Sequence, residues 1–356
     1  MTELFDSGAP NTSISTRDWN QLCWNNIEKN VYRLQMRIAK AVCNKQYDKV
    51  KSLQWFLVNS VHAKLLAVKR VTTAKVSKTP GIDGVLWTTP DEKYQAVLDL
   101  KARGYQAKPL RRIYIPKKNG KKRPLSIPTM KDRAMQALYL LALEPVGETT
   151  GDLNSYGFRP KRSTHDAIQQ FFCVLASRHK AQWILDADIK ACFDEICHGW
   201  LKENILIDKR MLEQWLGAGY MEKGNLFKTI QGTPQGGPIS PILANMVLDG
   251  LENEIHAACK PKDKVNFVRF ADDFIVTAKS PEILVEQVIP TINCFLAHRG
   301  LSLSQEKTRV VSIEEGLMLE NIRRSFSLNH QKTVSSLSNQ KSKRLSNADM
   351  DGVEPT

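Results

Sequence analysis

The chain has 356 residues, 42% of them hydrophobic, which is enough to bury a sizeable core over about two domains. Lys and Arg total 51 against 37 Asp and Glu, and the net charge of +14 favours a polyanionic partner such as a nucleic acid. Together these exclude a mainly disordered chain. No stretch approaches the ~20 apolar residues of a membrane span. Seven cysteines without a C-x-x-C argue against a disulfide framework or zinc site and for a reducing compartment.

Residues 1–18 are polar and read as a flexible start. Ile27, Val31, Leu34, Ile38 and Val42 then step by three and four, as do Val50, Leu53, Leu57, Val61, Leu65 and Val68, so two amphipathic helices are predicted. Their other faces carry Lys29, Arg33, Arg37, Lys40 and further basic residues. Two readings stand side by side: a solvated helical hairpin, or a basic pair lying on RNA. The Thr79–Gly84 turn cluster closes this region. Arg111–Pro116 and Arg123–Pro128 read as the strands of a hairpin turning at Lys118–Lys121, and residues 108–123 hold eight Lys and Arg, including Arg112, Lys117 and Arg123. Trp183–Ile189 is a predicted strand. The Gly- and Pro-rich stretch Gln231–Pro241 leads into a predicted helix over Ile242–Leu251. Phe267–Thr277 is predicted as a hairpin turning at Ala271-Asp272-Asp273, and Leu284–Ala297 as a helix. Residues 321–356 are polar, Ser-rich and without sustained period, and read as disordered.

The chemistry-bearing residues are acidic. Asp188 ends an apolar strand, and Asp272 and Asp273 sit between two apolar runs. Charges beside buried strands are costly unless paired or bound to metal. Three Asp at two strand ends suit a pair of Mg²⁺ ions, which take hard carboxylate oxygens plus substrate phosphates. The competing reading is a solvated Asp-Asp turn. Asp186 and Asp194 read as a polar strand face and a helix-side hydrogen bonder. The basic hairpin could close over a triphosphate, with Lys as a point charge and Arg as a fork. No Walker-type P-loop is present.

Six segments carry a further reading in fixed order: Ile115-Pro116-Lys117 through Gln136; Tyr156-Gly157-Phe158-Arg159-Pro160 through Ala167; Asp186-Ala187-Asp188 through Asp194; Gln231 through Leu243-Ala244-Asn245; Phe270-Ala271-Asp272-Asp273; and Leu303-Ser304 through Thr308. On these segments, and on the helical pair before them, the chain resembles reverse transcriptases of the group II intron (retron-type) branch over roughly residues 19–316.

The resemblance implies an α+β fold: right-hand fingers and palm with an antiparallel palm sheet, preceded by an N-terminal helical extension. The implied division is a flexible N-terminus (1–18), the extension (19–84), fingers and palm (85–320), and a polar tail (321–356) in place of the thumb. It implies an RNA-directed DNA polymerase with two Mg²⁺ ions, acting on an intron RNA template, a DNA primer and deoxynucleoside triphosphates. No membrane is implied; a homodimer is left open, and the location is cytoplasmic or an organellar matrix. By resemblance Asp188, Asp272 and Asp273 are the catalytic triad, and Ile189 lends a carbonyl to the metal. Phe193 selects against a 2′-hydroxyl, and Lys117 and Arg123 bind the triphosphate. Gln235 with Gly236-Gly237 lines the nascent pair, and Lys307 contacts phosphate or protonates pyrophosphate. Lys29, Arg33, Arg37, Lys40 and Arg112 are the expected RNA contacts. Two departures are visible. Phe270 stands where the branch usually has Tyr, and Gly316–Asn321 lacks the apolar turn that grips the primer, as in a copy cut before the thumb. The alternative function is a maturase-like RNA-binding splicing cofactor with little synthesis; a third and weaker one is a defence-type reverse transcriptase.

Overall fold

The structure, a computed structural model, describes residues 16–116, 120, 122–175, 181–233 and 236–313. The expectations for residues 1–15, Lys117, Gln235 and the tail 321–356 lie outside the described residues.

Three helices open the chain: α1 (Trp24–Cys43), α2 (Tyr47–Asn59) and α3 (Val61–Thr73). The apolar spacing predicted one helix across Val50–Val68, but Ser60 is extended (φ −66°, ψ 131°) and divides it. The stripe keeps its period across the break, so spacing alone does not reveal it. Asn59-Ser60, two weak helix formers, supply the turn. A fourth helix, α4 (Pro90–Asp99), starts in a capping box: Thr89 Oγ1 accepts from the Glu92 amide and the Glu92 carboxylate accepts from the Thr89 amide.

The helix α5 (Met130–Thr150) is the hub on which α1, α2 and α3 pack. It is buried on nearly every side, as expected of a helix without a polar face. Pro145 inside it has no N–H to give to the Leu141 carbonyl one turn back. Gln35 Nε2 of α1 donates to that carbonyl at 2.8 Å, and Gln54 Nε2 of α2 donates to the Ala142 carbonyl at 3.3 Å. The kink-prone proline thereby becomes a docking point for the extension.

The strands in chain order are β1 (Leu110–Pro116), β2 (Lys122–Ile127), β3 (Trp183–Asp188), β4 (Tyr220–Glu222), β5 (Asn225–Phe227), β6 (Asn266–Phe270), β7 (Asp273–Ala278) and β8 (Arg309–Ser312). They form two sheets, ordered β2-β1-β4-β5 and β6-β7-β3-β8. The first contains the expected fingers hairpin, extended by the β4–β5 hairpin through a parallel pairing of Leu110 with Tyr220. The second is the palm sheet and is antiparallel throughout.

Helix α6 (Thr164–Leu175) lies on one face of the palm sheet, where Phe171 packs with Ile184, Val268 and Ile275. The other face, with Leu185, Ala187, Phe267 and Phe274, joins the main core. That core reaches α5 and the short helices α7 (Cys192–Glu195), α8 (His198–Asn204) and α9 (Lys209–Leu216). It also takes in α10 (Ser240–Leu248), α11 (Leu251–Ala258) and the helical run α12, which passes from Pro281 through a π-type turn to Ala297. The helix predicted to Leu251 stops at Leu248, because Asp249 is extended (ψ 140°) and Gly250 adopts φ 93°, a left-handed value that glycine accepts at no steric cost. Among the described residues no helix is long and apolar enough to cross a membrane.

Candidate active site

Strand alternation places the acids. Side chains two apart share a face, so Ile184, Asp186 and Asp188 of β3 point the same way, and register sets Asp188 opposite Asp273 and Asp186 opposite Ile275. α6 covers the Ile184 and Ile275 end of this face. The same hydrophobic cluster reaches Phe270 and Ala271 beside the acidic end. Phe270 pairs with Asp273 across a two-residue turn made of Ala271 and Asp272, with Ala271 at φ 61°. The Ile189 amide donates to the Asp272 carbonyl at 3.3 Å, which ties the turn to the end of β3. The sequence-predicted triad is therefore brought together at adjacent strand ends, with Ile189 buried beside it.

The electrostatics of the cluster are those of acids short of cations. Burial pushes the Asp273 carboxyl well above the usual range, and its hydrogen bond to Asp188 and the charges of Asp272 and Asp188 push further. Burial likewise raises Asp272, with Asp188 adding to the shift while Lys307 and Arg123 oppose it. Burial also raises Asp186, against the pull of Arg309, its partner in register on β8.

Lys307 Nζ donates to Asp188 Oδ2 at 2.7 Å, and the Ser304 amide donates to the Asp188 carbonyl at 2.8 Å. Burial alone would lower the Lys307 pKa, but Asp188, Asp273 and Asp272 together raise it. The Lys307 ammonium thus stands where carboxylates ask for positive charge, with Arg123 acting on Asp272 as well. Hard oxygen donors, mutual repulsion and partial desolvation are what a divalent ion relieves, so the residues present fit Mg²⁺. Among the described residues no three His, Cys, Asp or Glu form a ready-made cage.

Phe193, five residues after Asp188, is half-buried. Its ring meets Phe158 edge to face, with centroids 6.1 Å apart and 77° between planes. Its carbonyl accepts from the Thr233 amide at 2.6 Å. Gly232 (φ 81°) lies so close to the Phe193 and Asp194 carbonyls that no Cβ fits there. The ring borders a cavity of about 360 Å³ that is also lined by Arg123, Leu125, Phe158, Gly236 and Gly237. This cavity joins fingers, palm and the Gly-rich loop, and Arg123 reaches it from β2. Of the expected RNA contacts, Lys29, Arg33, Arg37 and Lys40 are exposed on α1. Arg112 stands apart from these four: it is half-buried, with its guanidinium stacked 3.8 Å over the Tyr220 ring.

Sequence reasoning gave Tyr156–Arg159 no role beyond the resemblance. In the fold, Phe158 backs the Phe193 ring, and Arg159 grips Glu148 of α5 through two bonds of 3.0 and 2.9 Å. The signal was present as a Gly between two aromatics, but its partners lie far away along the chain.

An antiparallel sheet carrying clustered acids at its strand ends, with Arg123 of the fingers hairpin acting on Asp272, defines a template-directed nucleic-acid polymerase of the right-hand type. A model for reverse transcriptase (RNA-dependent DNA polymerase) matches residues 115–343, and one for the N-terminal domain of reverse transcriptase matches residues 19–100. The chain belongs to the reverse transcriptase family.

Among relatives, it is 37% identical over 313 residues to group II intron-encoded protein LtrA of Lactococcus lactis, covering 69% of this chain and 52% of that protein. It is 29% identical over 327 residues to protein YkfC of Escherichia coli K12, covering 79% of this chain and 86% of that one. A 91 kDa protein in a cob intron of Schizosaccharomyces pombe is 28% identical over 296 residues, covering 66% of this chain and 36% of that protein. The chain thus spans about half of LtrA and about a third of the cob-intron protein.

Proposed function

We propose that this chain is the polymerase part of a group II intron-encoded reverse transcriptase, adding deoxynucleotides to a primer 3′-hydroxyl on an intron RNA template. The observation that supports this most directly is the convergence of Asp188, Asp272 and Asp273 at adjacent palm strand ends, with Lys307 and Arg123 as the positive groups acting on them. Asp188, Asp272, Asp273 and the Ile189 carbonyl would hold two Mg²⁺ ions, whose chemistry when bound is to lower the pKa of the attacking hydroxyl and neutralise the departing pyrophosphate. Arg123, with Lys117, binds the triphosphate. The Phe193 ring excludes a 2′-hydroxyl by steric contact. Gly236 and Gly237, with Gln235, present backbone close to the nascent pair. Lys307, already hydrogen-bonded at the acidic cluster, is placed to give its Nζ proton to the leaving pyrophosphate.

The test is primer extension on an RNA template with Mg²⁺. Asp272→Asn is expected to abolish extension while RNA binding stays intact or tightens slightly, since one negative charge leaves a phosphate-lined cleft. Extension by this variant near the parent rate overturns the assignment. The maturase-like reading, RNA binding in aid of splicing, rests on a different observation: the exposed basic residues of α1. It is favoured if the parent binds intron RNA tightly and does not extend a primer.

A further inference from the structure

Arg269 precedes the catalytic turn by two residues, yet strand alternation turns it to the opposite face from Asp188 and Asp273. Its side chain is fully buried (0% exposed), in a neighbourhood that also buries Asn245, Asp152, Ser155 and Arg159. An arginine there is costly unless every charge finds a partner. Nη2 donates to Asp249 Oδ1 at 2.8 Å, just past the end of α10. Nη1 donates to Asn245 Oδ1 at 3.1 Å and reaches the Ala271 carbonyl at 3.4 Å. The other end of the Asn245 amide, Nδ2, donates to the Gly157 carbonyl at 2.8 Å. Gly157 in turn lies directly against the Ala271 backbone, where a Cβ would collide with the Ala271 nitrogen.

These contacts close a ring: Arg269, Asn245, Gly157, Ala271 and back to Arg269. Three segments distant in sequence meet in it, and the residue they enclose is the left-handed Ala271 (φ 61°), which sets the direction of Asp272 and Asp273. An alanine at positive φ is uphill by roughly 1–2 kcal/mol and persists only where its surroundings hold it. The edge of β6 is fixed as well, because the Arg269 amide donates to the Asn154 carbonyl at 2.8 Å and the Tyr156 amide donates to the Arg269 carbonyl at 2.9 Å.

We propose that Arg269 and Asn245 are positioning residues of the polymerase reaction. They hold the Ala271 turn from beneath the sheet, so that Asp272 and Asp273 stay aimed at the reacting phosphate. The proposal rests on the polymerase reading above. Neither side chain reaches substrate, so their effect should fall on the chemical step and not on nucleotide affinity.

The experiment uses the full chain with Arg269→Lys and, as a variant that leaves the buried ion pair with Asp249 intact, Asn245→Ala. Single-turnover extension is measured against nucleotide concentration and normalised to the burst amplitude, so that misfolded molecules are not counted. Amide hydrogen exchange is followed in peptides covering 267–276 and, as reference, α6. Both variants are expected to extend at least about tenfold more slowly per active molecule, with nucleotide KM within about twofold of the parent, and to exchange faster in 267–276 but not in α6. An unchanged rate per active molecule with unchanged exchange at the turn, and only a lower melting temperature, overturns the proposal. If the parent itself shows no Asp272-dependent extension, the polymerase reading falls. The exchange comparison then still decides whether the ring holds the turn.

Discussion

Asp272 and Asp273 keep their protons in the fold at pH values where the unfolded chain releases them, because burial and neighbouring carboxylates raise both pKa values. The folded state then binds more protons than the unfolded one above the ordinary carboxylate value of about 4, so stability falls as pH rises through that window, by up to about 1.4 kcal/mol per pH unit for each proton held. His198, whose pKa burial lowers, works in the opposite direction around and below the ordinary histidine value of about 6.5. The clean quantity is therefore a difference. Without divalent ions, the melting temperature of the parent should fall from pH 5 to pH 8 relative to Asp273→Asn. Mg²⁺ at pH 8 should restore the parent far more than the variant. Melting curves that track each other across this range would count against a shared acidic cluster. Phe193→Ala offers a separate check. Removing the ring should cut discrimination against ribonucleotides by about tenfold or more, equivalent to ~1.4 kcal/mol, at the expense of the edge-to-face contact with Phe158, worth about 1 kcal/mol. A variant that still rejects ribonucleotides as the parent does makes residue 193 a packing aromatic. The grouping of Asp188, Asp272 and Asp273 at neighbouring strand ends was legible in sequence, because charge beside apolar strands is conspicuous. Arg269 was not, and Asn245 stood in a quoted segment without a role of its own, because their meaning depends on the buried hydrogen bond from Arg269 Nη1 to Asn245 Oδ1 that the fold makes.

At the scale of elements, what sequence could not show was where helices stop. The stripes of α2 and α3 are in phase, and so are those of α10 and α11. A break that preserves phase is invisible to periodicity, though Ser60 and Gly250 mark both breaks once dihedral angles are known. The fingers and palm hairpins were legible, because Asn119-Gly120 is a turn pair between two predicted strands and the Asp pair interrupts two apolar runs. The β4–β5 hairpin was not, because three-residue strands are too short to show alternation. Its pairing with β1 is also parallel and long-range. Gly157 shows how one element constrains another. It sits before Phe158 in the segment that covers the edge of β6, and a Cβ there would collide with the Ala271 backbone of the acidic turn. Gly157→Ala should displace that turn and lower extension at least about tenfold, with circular dichroism unchanged, as a 1 Å misplacement can cost about a hundredfold. Gly199→Ala, where a Cβ meets only Cys197 Sγ at 3.6 Å, should be silent and serves as the control. Equal activity in both variants would mean that the turn tolerates movement.

Over the whole molecule the surplus of positive charge has to be reconciled with a site made of acids. Asp188, Asp272 and Asp273 repel a phosphate backbone, so under the proposed function RNA is held by surfaces elsewhere, and α1 is the candidate. Lys29, Arg33, Arg37 and Lys40 follow each other at four, four and three residues and form a single exposed stripe. The opposite side of α1, Ile27, Val31 and Ile38, is buried in the core that includes α5. The stripe therefore cannot turn away to relieve its own repulsion, and a polyanion is the natural counter-charge. Each phosphate neutralised releases condensed counterions and contributes about 0.7 to the salt slope for single strands, or about 0.9 for duplex. Replacing the four residues with Gln should lower the slope of log K against log salt by roughly 3 between about 50 and 200 mM. Extension of a primer already annealed and saturating should stay close to the parent rate at low salt. Asp272→Asn should do the reverse, removing extension and leaving the slope unchanged. The pair of variants separates grip from chemistry: one measurement reads the helical extension, the other the palm. An unaltered slope in the Gln variant would remove α1 from the RNA path. The fingers hairpin, with its own eight basic residues between 108 and 123, would then be the next surface to neutralise.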